Sequence, residues 1–264
     1  MAPKIGVFDS GFGGLTVLRE LRQALPAASF LYFGDTAHLP YGAKSVRTVA
    51  KYAISAAHFL EEHGIEMLVV ACNTATALAF DDIRAAISVP VVGVIEPGAQ
   101  RAAAISKTKK AVVVATEATV ASHAYQRALQ QVGLDATEKA CPLFVPLVEE
   151  GWVEHRVTEE VAHIYIDEVF QDGARAADVL VLGCTHYPLL RPLLRKVVPQ
   201  QVEIVDSAES TAARVVDLLG KDCGRGPQGE LRCYATDSVE KFRRLGGKFL
   251  GCPIENIELV DIEK

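Results

Sequence analysis

Short apolar segments alternate with longer amphipathic segments along the whole chain. In the first part, the spacing of apolar residues predicts helices over 15–25 and 45–63, and Gly64 supplies a C-cap signal for the second. The apolar segments before, between and after these helices predict buried strands at 4–8, 30–34, 67–71 and 89–95. Strands that alternate with helices predict an α/β fold built on a parallel sheet.

The later part of the chain repeats this alternation. Its predicted strands are 111–115, 179–182, 202–205, 231–236 and 257–260, and its predicted helices are 158–171, 187–197, 207–219 and 238–245. The segment from Cys223 to Glu230 is rich in glycine and predicts a loop.

One arrangement occurs twice: an apolar strand, a small residue, a cysteine and a polar pair. Cys72 follows the strand at 67–71 and Cys184 follows the strand at 179–182, an offset of 112 residues (184 − 72). Thr116 stands in the second part where Asp9 stands in the first, at an offset of 107 (116 − 9). The pattern favours a distant duplication, with two α/β units of independent origin as the alternative.

A chain of 264 residues suits two domains. We predict a first α/β domain of residues 1–97 plus 207–264 and a second of residues 98–206, because the C-terminal part has no partner in the repeat. In open α/β sheets ligands bind beyond the carboxyl ends of strands, so the active site is expected in the cleft between the domains.

Charge and composition exclude several classes of protein. The net charge of −6 gives no basic surface for nucleic acid, so we expect a small-molecule partner. An apolar run of membrane-spanning length and a signal peptide are both absent, which predicts a cytoplasmic protein. The six cysteines contain no CxxC pair, so we expect free thiols rather than a disulfide framework or a zinc site.

Two thiols in one cleft permit a reaction that a single thiol does not. One, as thiolate, can remove a proton from a bound carbon while the other, as thiol, delivers a proton to the opposite face. Helix N-termini after each strand are expected to lower the thiol pKa values. A lone cysteine is more often a small buried hydrophobe, but two in the same strand-end context make that interpretation weaker here.

Other candidate site residues follow strand ends. The turn Asp9–Gly14 exposes backbone N–H groups that suit a carboxylate; the alternative is a turn that needs glycine only for its dihedral angles. Segment 35–42 is a turn-rich loop of the kind that contacts ligands. Glu149 and Glu150 close an apolar segment that we expect to be a loop, where surface carboxylates are the default.

The ordered series of motifs resembles that of bacterial glutamate racemase, in the aspartate/glutamate racemase family. The resemblance spans nearly the whole chain. It rests on residues 8–17 (FDSGFGGLTV), 34–42 (GDTAHLPYG), 71–75 (ACNTA), 142–151 (PLFVPLVEEG) and 183–188 (GCTHYP).

The resemblance implies two α/β domains related by a pseudo-twofold axis, and a cofactor-independent racemase that makes D-glutamate for peptidoglycan. It implies that Cys72 acts as base on D-glutamate and Cys184 on L-glutamate, with Asp9, Glu149 and His186 assisting. It also implies a homodimer and no metal. The implied substrate contacts are Ser10, Tyr41, Gly42, Asn73, Thr74 and Thr185, with Thr116 and Thr119 as further candidates.

Alternatives remain at this point. An aspartate racemase of the same superfamily would keep both cysteines. A cysteine hydrolase or acyltransferase would use one thiol with His186, although Cys184 and His186 are too close in sequence for an ordinary pair. A metal-binding or redox-sensing protein would use the same three side chains.

Overall fold

The computed structural model describes residues 2–172, 176–220 and 226–262, and within them two parallel sheets form the framework. The strands of the first sheet are β1 (Lys4–Asp9), β2 (Ser29–Gly34), β3 (Met67–Val70), β4 (Val91–Gly93), β9 (Leu231–Ala235) and β10 (Ile257–Leu259). The strands of the second are β5 (Lys110–Ala115), β6 (Asp135–Ala140), β7 (Val179–Gly183) and β8 (Glu203–Asp206). The predicted α/β fold with two parallel sheets is confirmed.

The two sheets share one strand order. The first runs β10-β9-β2-β1-β3-β4 and the second runs β6-β5-β7-β8. The order β2-β1-β3-β4 is therefore matched by β6-β5-β7-β8, which pairs β1 with β5 and β3 with β7. This is the correspondence that the repeated sequence pattern indicated, because Cys72 follows β3 and Cys184 follows β7.

Helices cover both sheets. Those before the second sheet are α1 (Leu15–Ala24), α2 (Val46–Glu62), α3 (Asn73–Ala86) and α4 (Ile95–Ile105). Those within and after it are α5 (Glu117–Ala121), α6 (Ala124–Gln131), α7 (Phe144–Glu149), α8 (Arg156–Asp172), α9 (Arg191–Val197), α10 (Ser207–Leu219) and α11 (Val239–Leu250). Two 3₁₀ helices cover Tyr41–Ala43 and Tyr187–Leu190.

The strands that carry the site are apolar because both faces of a parallel sheet are covered. Every residue of β3 and β7 is buried. Strand β6 was not predicted, since its sequence DATEKA is polar; it lies at an edge of the second sheet, where polar side chains can reach solvent.

Three predicted elements differ from the structure. The expected loop at 141–151 contains helix α7, in which Pro146 lies in the first turn, where its missing N–H costs nothing. The helix predicted at 187–197 is a 3₁₀ turn followed by α9. Helix α11 extends past the predicted end at Leu245 to Leu250. The predicted loop at 223–230 begins outside the described residues.

The chain passes between the sheets within α4. The predicted division at residue 97 falls inside this helix, and Ile95, Ala99 and Ala102 pack with the apolar core of the second sheet. The division at residue 207 falls at the start of α10, where Asp206 accepts a hydrogen bond from the Ala208 N–H at 3.1 Å. The exact domain limits stay a prediction.

None of the helices that the structure describes is long and apolar enough to cross a membrane. Among the same residues, no cluster of three or more His, Cys, Asp or Glu side chains is arranged to hold a metal ion.

Candidate active site

Both cysteines lie at the switch point of their sheet, where the next strand in the chain is added to the opposite side of the first. In the first sheet β2 lies on one side of β1 and β3 on the other, so β1 and β3 flank the switch in strand order; β5 and β7 do the same in the second. Ligand clefts in open α/β sheets form beyond the strand ends at such switch points. Cys184 follows β7 directly, and Cys72 follows β3 after one intervening residue, Ala71.

A single cavity contains both thiols. Its lining atoms surround about 450 Å³ of space, the mouth included. The predicted site residues that line it are Ser10, Tyr41, Gly42, Cys72, Asn73, Thr74, Thr116, Glu149, Cys184, Thr185 and His186. Asp9 and Thr119 are buried behind this lining rather than part of it. The cavity is also lined by Gly11, Phe12, Leu39, Pro40 and Val145.

Cys72 is the N-cap of helix α3. Its sulfur accepts a hydrogen bond from the Ala75 N–H at 3.4 Å, and its thiol donates to the Ser10 hydroxyl at 3.5 Å. The sulfur therefore lies at the positive end of the helix and touches the turn after β1.

Cys184 begins a row of polar side chains. His186 Nδ1 lies 4.0 Å from Cys184 Sγ, and His186 Nε2 lies 3.4 Å from Glu149 Oε1. Lys241 Nζ donates to the other oxygen of Glu149 at 2.9 Å. Glu150, the neighbouring acid, is exposed. The geometry thus brings Glu149, rather than Glu150, to the cavity.

The expectation of lowered thiol pKa values is wrong. Burial raises the pKa of Cys72 to about 12, and the nearby Asp9 carboxylate adds to this, although the N–H of Ala75 opposes it. Burial also raises the pKa of Cys184, against the N–H groups of His186 and Tyr187. The helix N-termini are present, but the loss of hydration outweighs them.

Asp9 is a buried carboxylate at the end of β1, behind the residues that line the cavity. Its Oδ2 accepts a hydrogen bond from the Gly11 N–H at 3.0 Å. Burial raises its pKa, while the charge of His186 and the N–H groups of Gly14 and Gly11 act to lower it. A carboxyl group with a raised pKa can exchange a proton more readily near neutral pH.

Three threonine hydroxyls from opposite sides of the cleft form a triangle. Thr74 Oγ1 lies 3.0 Å from Thr116 Oγ1 and 3.1 Å from Thr119 Oγ1, and the latter two are 2.9 Å apart. Thr74 belongs to α3, whereas Thr116 caps α5. A Cβ on Gly42 would come within 2.8 Å of Thr116 Cβ, so glycine is required for this close approach.

Asn73 lines the cavity, and one of its side-chain atoms is a buried donor without a partner among the described residues. Its Oδ1 accepts a hydrogen bond from the Tyr125 hydroxyl at 2.6 Å, whereas its buried Nδ2 has no hydrogen-bond partner among the described residues. A buried amide without a partner is rare, and an anionic ligand in the cavity would satisfy it.

Three residues that hold the site were not predicted from the sequence. Tyr125 orients Asn73, Lys241 binds Glu149, and the buried Asp35 accepts the Tyr41 hydroxyl at 2.6 Å. Asp35 stands in the quoted motif 34–42 and could have been proposed. Tyr125 and Lys241 lie in ordinary amphipathic helices, where no local signal separates them from surface residues.

The chain was compared with known proteins. The family model described as Asp/Glu/hydantoin racemase matches residues 5–215. A glutamate racemase from Koribacter versatilis is 57% identical, with 98% of each chain covered. A glutamate racemase isoform from Bacillus anthracis has a solved structure with a TM-score of 0.91 at 34% identity, covering 98% of this chain and 97% of its own. The Francisella tularensis glutamate racemase, solved in complex with D-glutamate, has a TM-score of 0.90 at 33% identity, covering 99% and 98%.

Proposed function

This chain belongs to the Asp/Glu/hydantoin racemase family, and on that premise we propose that Cys72 and Cys184 interconvert L- and D-glutamate by a two-base mechanism without a cofactor. The activity is that of an isomerase, glutamate racemisation. The observation that carries the two-base assignment is that both thiols, each at the end of an equivalent strand, line one cavity.

For L-glutamate, the Cys184 thiolate removes the α-proton. The C–H bond breaks, an S–H bond forms on Cys184, and the electron pair stays on the α-carbon. The Cys72 thiol then delivers its proton to the opposite face, which leaves Cys72 as the thiolate. With D-glutamate the two roles are exchanged.

The assisting groups reset the two thiols. His186, 4.0 Å from Cys184, is placed to exchange a proton with that thiol. The charge of Asp9 acts on both sulfurs, and we assign Asp9 to Cys72 because the next residue, Ser10, has its hydroxyl 3.5 Å from Cys72 Sγ. The Glu149 carboxylate stabilises the positive charge that develops on His186 when the imidazole is protonated, because Oε1 lies 3.4 Å from Nε2.

The bound substrate lowers the thiol pKa values in this proposal. Burial alone favours the neutral thiols. A bound α-ammonium group places a positive charge beside both sulfurs, which favours a thiolate in a site of low dielectric constant. The thiolate is thus formed when the substrate is present to react with it.

Neutral donors bind the carboxylates in this proposal. The described residues that line the cavity include Glu149 but no lysine or arginine. The carboxylates therefore meet hydroxyl and amide groups, among them Asn73 Nδ2, which has no hydrogen-bond partner among the described residues. The first N–H groups of helix α3 add to them. Hydrogen bonds to the α-carboxylate also stabilise the carbanion-like transition state.

The test is racemisation in deuterated water with no added cofactor. L-Glutamate should lose optical activity and gain deuterium at the α-carbon. Cys72→Ser and Cys184→Ser should each abolish turnover while keeping the wild-type circular dichroism spectrum. Wild-type turnover in either variant, or a requirement for pyridoxal phosphate, would contradict the assignment.

The aspartate racemase alternative is less well supported, because the chain is 57% identical to a glutamate racemase over nearly its whole length. Turnover of glutamate and aspartate at equal concentration separates the two. An enzyme that turned over aspartate faster would require a different substrate assignment.

Three further points complete the proposal. The protein supplies D-glutamate for peptidoglycan, acts in the cytoplasm and forms a homodimer. Rescue of a D-glutamate auxotroph tests the first, fractionation of cells tests the second, and light scattering on the purified protein tests the third. Exposed apolar side chains on and beside α7 and α8, including Leu143, Trp152 and Ile164, are consistent with a surface covered in an oligomer.

A further inference from the structure

Lys241 reaches the site from a helix that belongs to the first sheet. Helix α11 buries Phe242, Leu245 and Phe249 in an apolar core shared with α1. Glu149 ends helix α7, which follows β6 of the second sheet. The ion pair of Lys241 with Glu149, 2.9 Å long, therefore joins the two halves of the molecule beside the cavity.

The same helix also contacts the catalytic imidazole. The ring centroid of Phe249 lies 5.1 Å from that of His186, and Phe12 lies 5.9 Å from it on the turn after β1. Lys241 Nζ lies 5.6 Å from the centre of the Phe12 ring. His186 is thus held by aromatic rings from the first half and by Glu149 from its own half.

The two oxygens of Glu149 have different partners. Oε2 accepts a hydrogen bond from Lys241, and Oε1 lies 3.4 Å from His186 Nε2, which is a charge contact rather than a hydrogen bond. Burial acts to raise the pKa of Glu149, but His186 and Lys241 together hold it below the ordinary value. Without Lys241 the carboxylate could rotate away from the imidazole, and it would be protonated more easily.

We propose that Lys241 is a positioning residue for the Cys184 half of the reaction. It holds the Glu149 carboxylate against His186 and so keeps Nδ1 of the imidazole directed at the Cys184 thiol. Because the ion pair crosses the cleft, opening of the cleft separates Lys241 from Glu149, and the row of groups is complete only in the closed protein. The inference rests on the proposed function.

The test compares three variants of the full-length protein. Lys241→Met removes the charge and keeps the apolar stem, Lys241→Arg keeps the charge, and Arg244→Ala removes a charge from an exposed position of the same helix. Kinetic constants are measured for both enantiomers from pH 4 to 10, a range that includes the titration of a carboxyl group, and folding is checked by thermal melting at each pH.

Lys241→Met should lower kcat/KM about tenfold, by analogy with the low end of the loss when a group that orients a metal ligand is removed, because Lys241 is 40% exposed. The equilibrium constant of a racemisation is one, so both directions should lose the same factor. Lys241→Arg should recover most of the activity, and Arg244→Ala should match the wild type.

The pH profile separates positioning from a general structural defect. The charged or titratable groups that face Glu149 are His186 from the segment after β7 and Lys241 from α11, with Lys248 close to the adjacent Gly151. Loss of Lys241 should raise the pKa of Glu149 and move the acid limb of kcat/KM to higher pH. A defect in folding would lower activity without moving that limb.

A double mutant identifies the route of the effect. If Lys241 acts through Glu149, adding Lys241→Met to Glu149→Gln should cause no further loss. A full additional tenfold loss, or a Lys241→Met enzyme with wild-type kcat/KM and an unmoved acid limb, would overturn the inference. Failure of the wild-type protein to racemise glutamate would instead remove the proposed function.

Discussion

A methyl group added at Gly13 should disable catalysis while leaving the fold in place. Gly13 lies in the turn after β1, against the segment that carries His186. An ideal Cβ there would lie 2.3 Å from Thr185 Oγ1, 2.6 Å from His186 Nδ1 and 2.7 Å from His186 Cε1. Ordinary contacts are about 3.5 Å, so the groups must separate by about 1 Å.

The turn cannot yield freely. The Thr16 hydroxyl donates to the Gly13 carbonyl at 3.0 Å and lies 3.2 Å from the Thr185 carbonyl, so one side chain ties both segments. The displacement therefore falls on the side chains of Thr185 and His186. A shift of about 1 Å in a catalytic group can cost about 100-fold in rate, whereas overpacking costs about 1–3 kcal/mol of stability.

Gly13→Ala should thus reduce kcat about 100-fold and lower the melting temperature only moderately. Optical rotation measures kcat, and circular dichroism measures melting. Gly98→Ala is the matched control, because its Cβ would lie 3.6 Å from Ser207 Cβ, an ordinary contact, and alanine favours a helix interior. A folded Gly13→Ala enzyme with near wild-type kcat would refute this account of how His186 is positioned.

Three further predictions follow from single contacts. Without added substrate, the rate of alkylation of Cys72 should still rise with pH at pH 10, because burial raises the pKa of this thiol to about 12. Mass spectrometry of the labelled peptide measures the rate, with the exposed Cys252 as internal reference. Tyr125→Phe removes the hydrogen bond to Asn73, so KM for glutamate should rise. The free energy of unfolding should fall by about 1–3 kcal/mol, because a buried amide oxygen loses its donor. Unchanged kinetics and melting would contradict the role of this contact. Burial acts to raise the pKa of Asp178, but hydrogen bonds from residues 106–108 hold it at about 2, below its value in the unfolded chain. Asp178→Asn should therefore cost about 1 kcal/mol of stability at pH 7. Urea denaturation should show this difference disappearing as the pH falls towards 2.

The fold was largely readable from the sequence because its signals are local. Strands β3 and β7 are continuous apolar segments, and the glycine at 64, with a positive φ of 75°, follows the end of helix α2 as its C-cap signal predicted. The same locality explains the errors. The polar edge strand β6 lacks an apolar signal, and the prolines around α7 suggested a loop although one of them is compatible with a first helical turn.

The sequence determined which residues belong to the site, because residues at strand ends meet at one edge of a sheet whatever the surrounding packing. Cys72, Cys184 and most of the other predicted residues therefore line one cavity. The tertiary structure alone decided which acid reaches His186, which helix supplies Lys241, and how deeply the thiols are buried. These depend on contacts between segments far apart in the chain. The loss of hydration that raises the thiol pKa values exists only after both halves have closed around them.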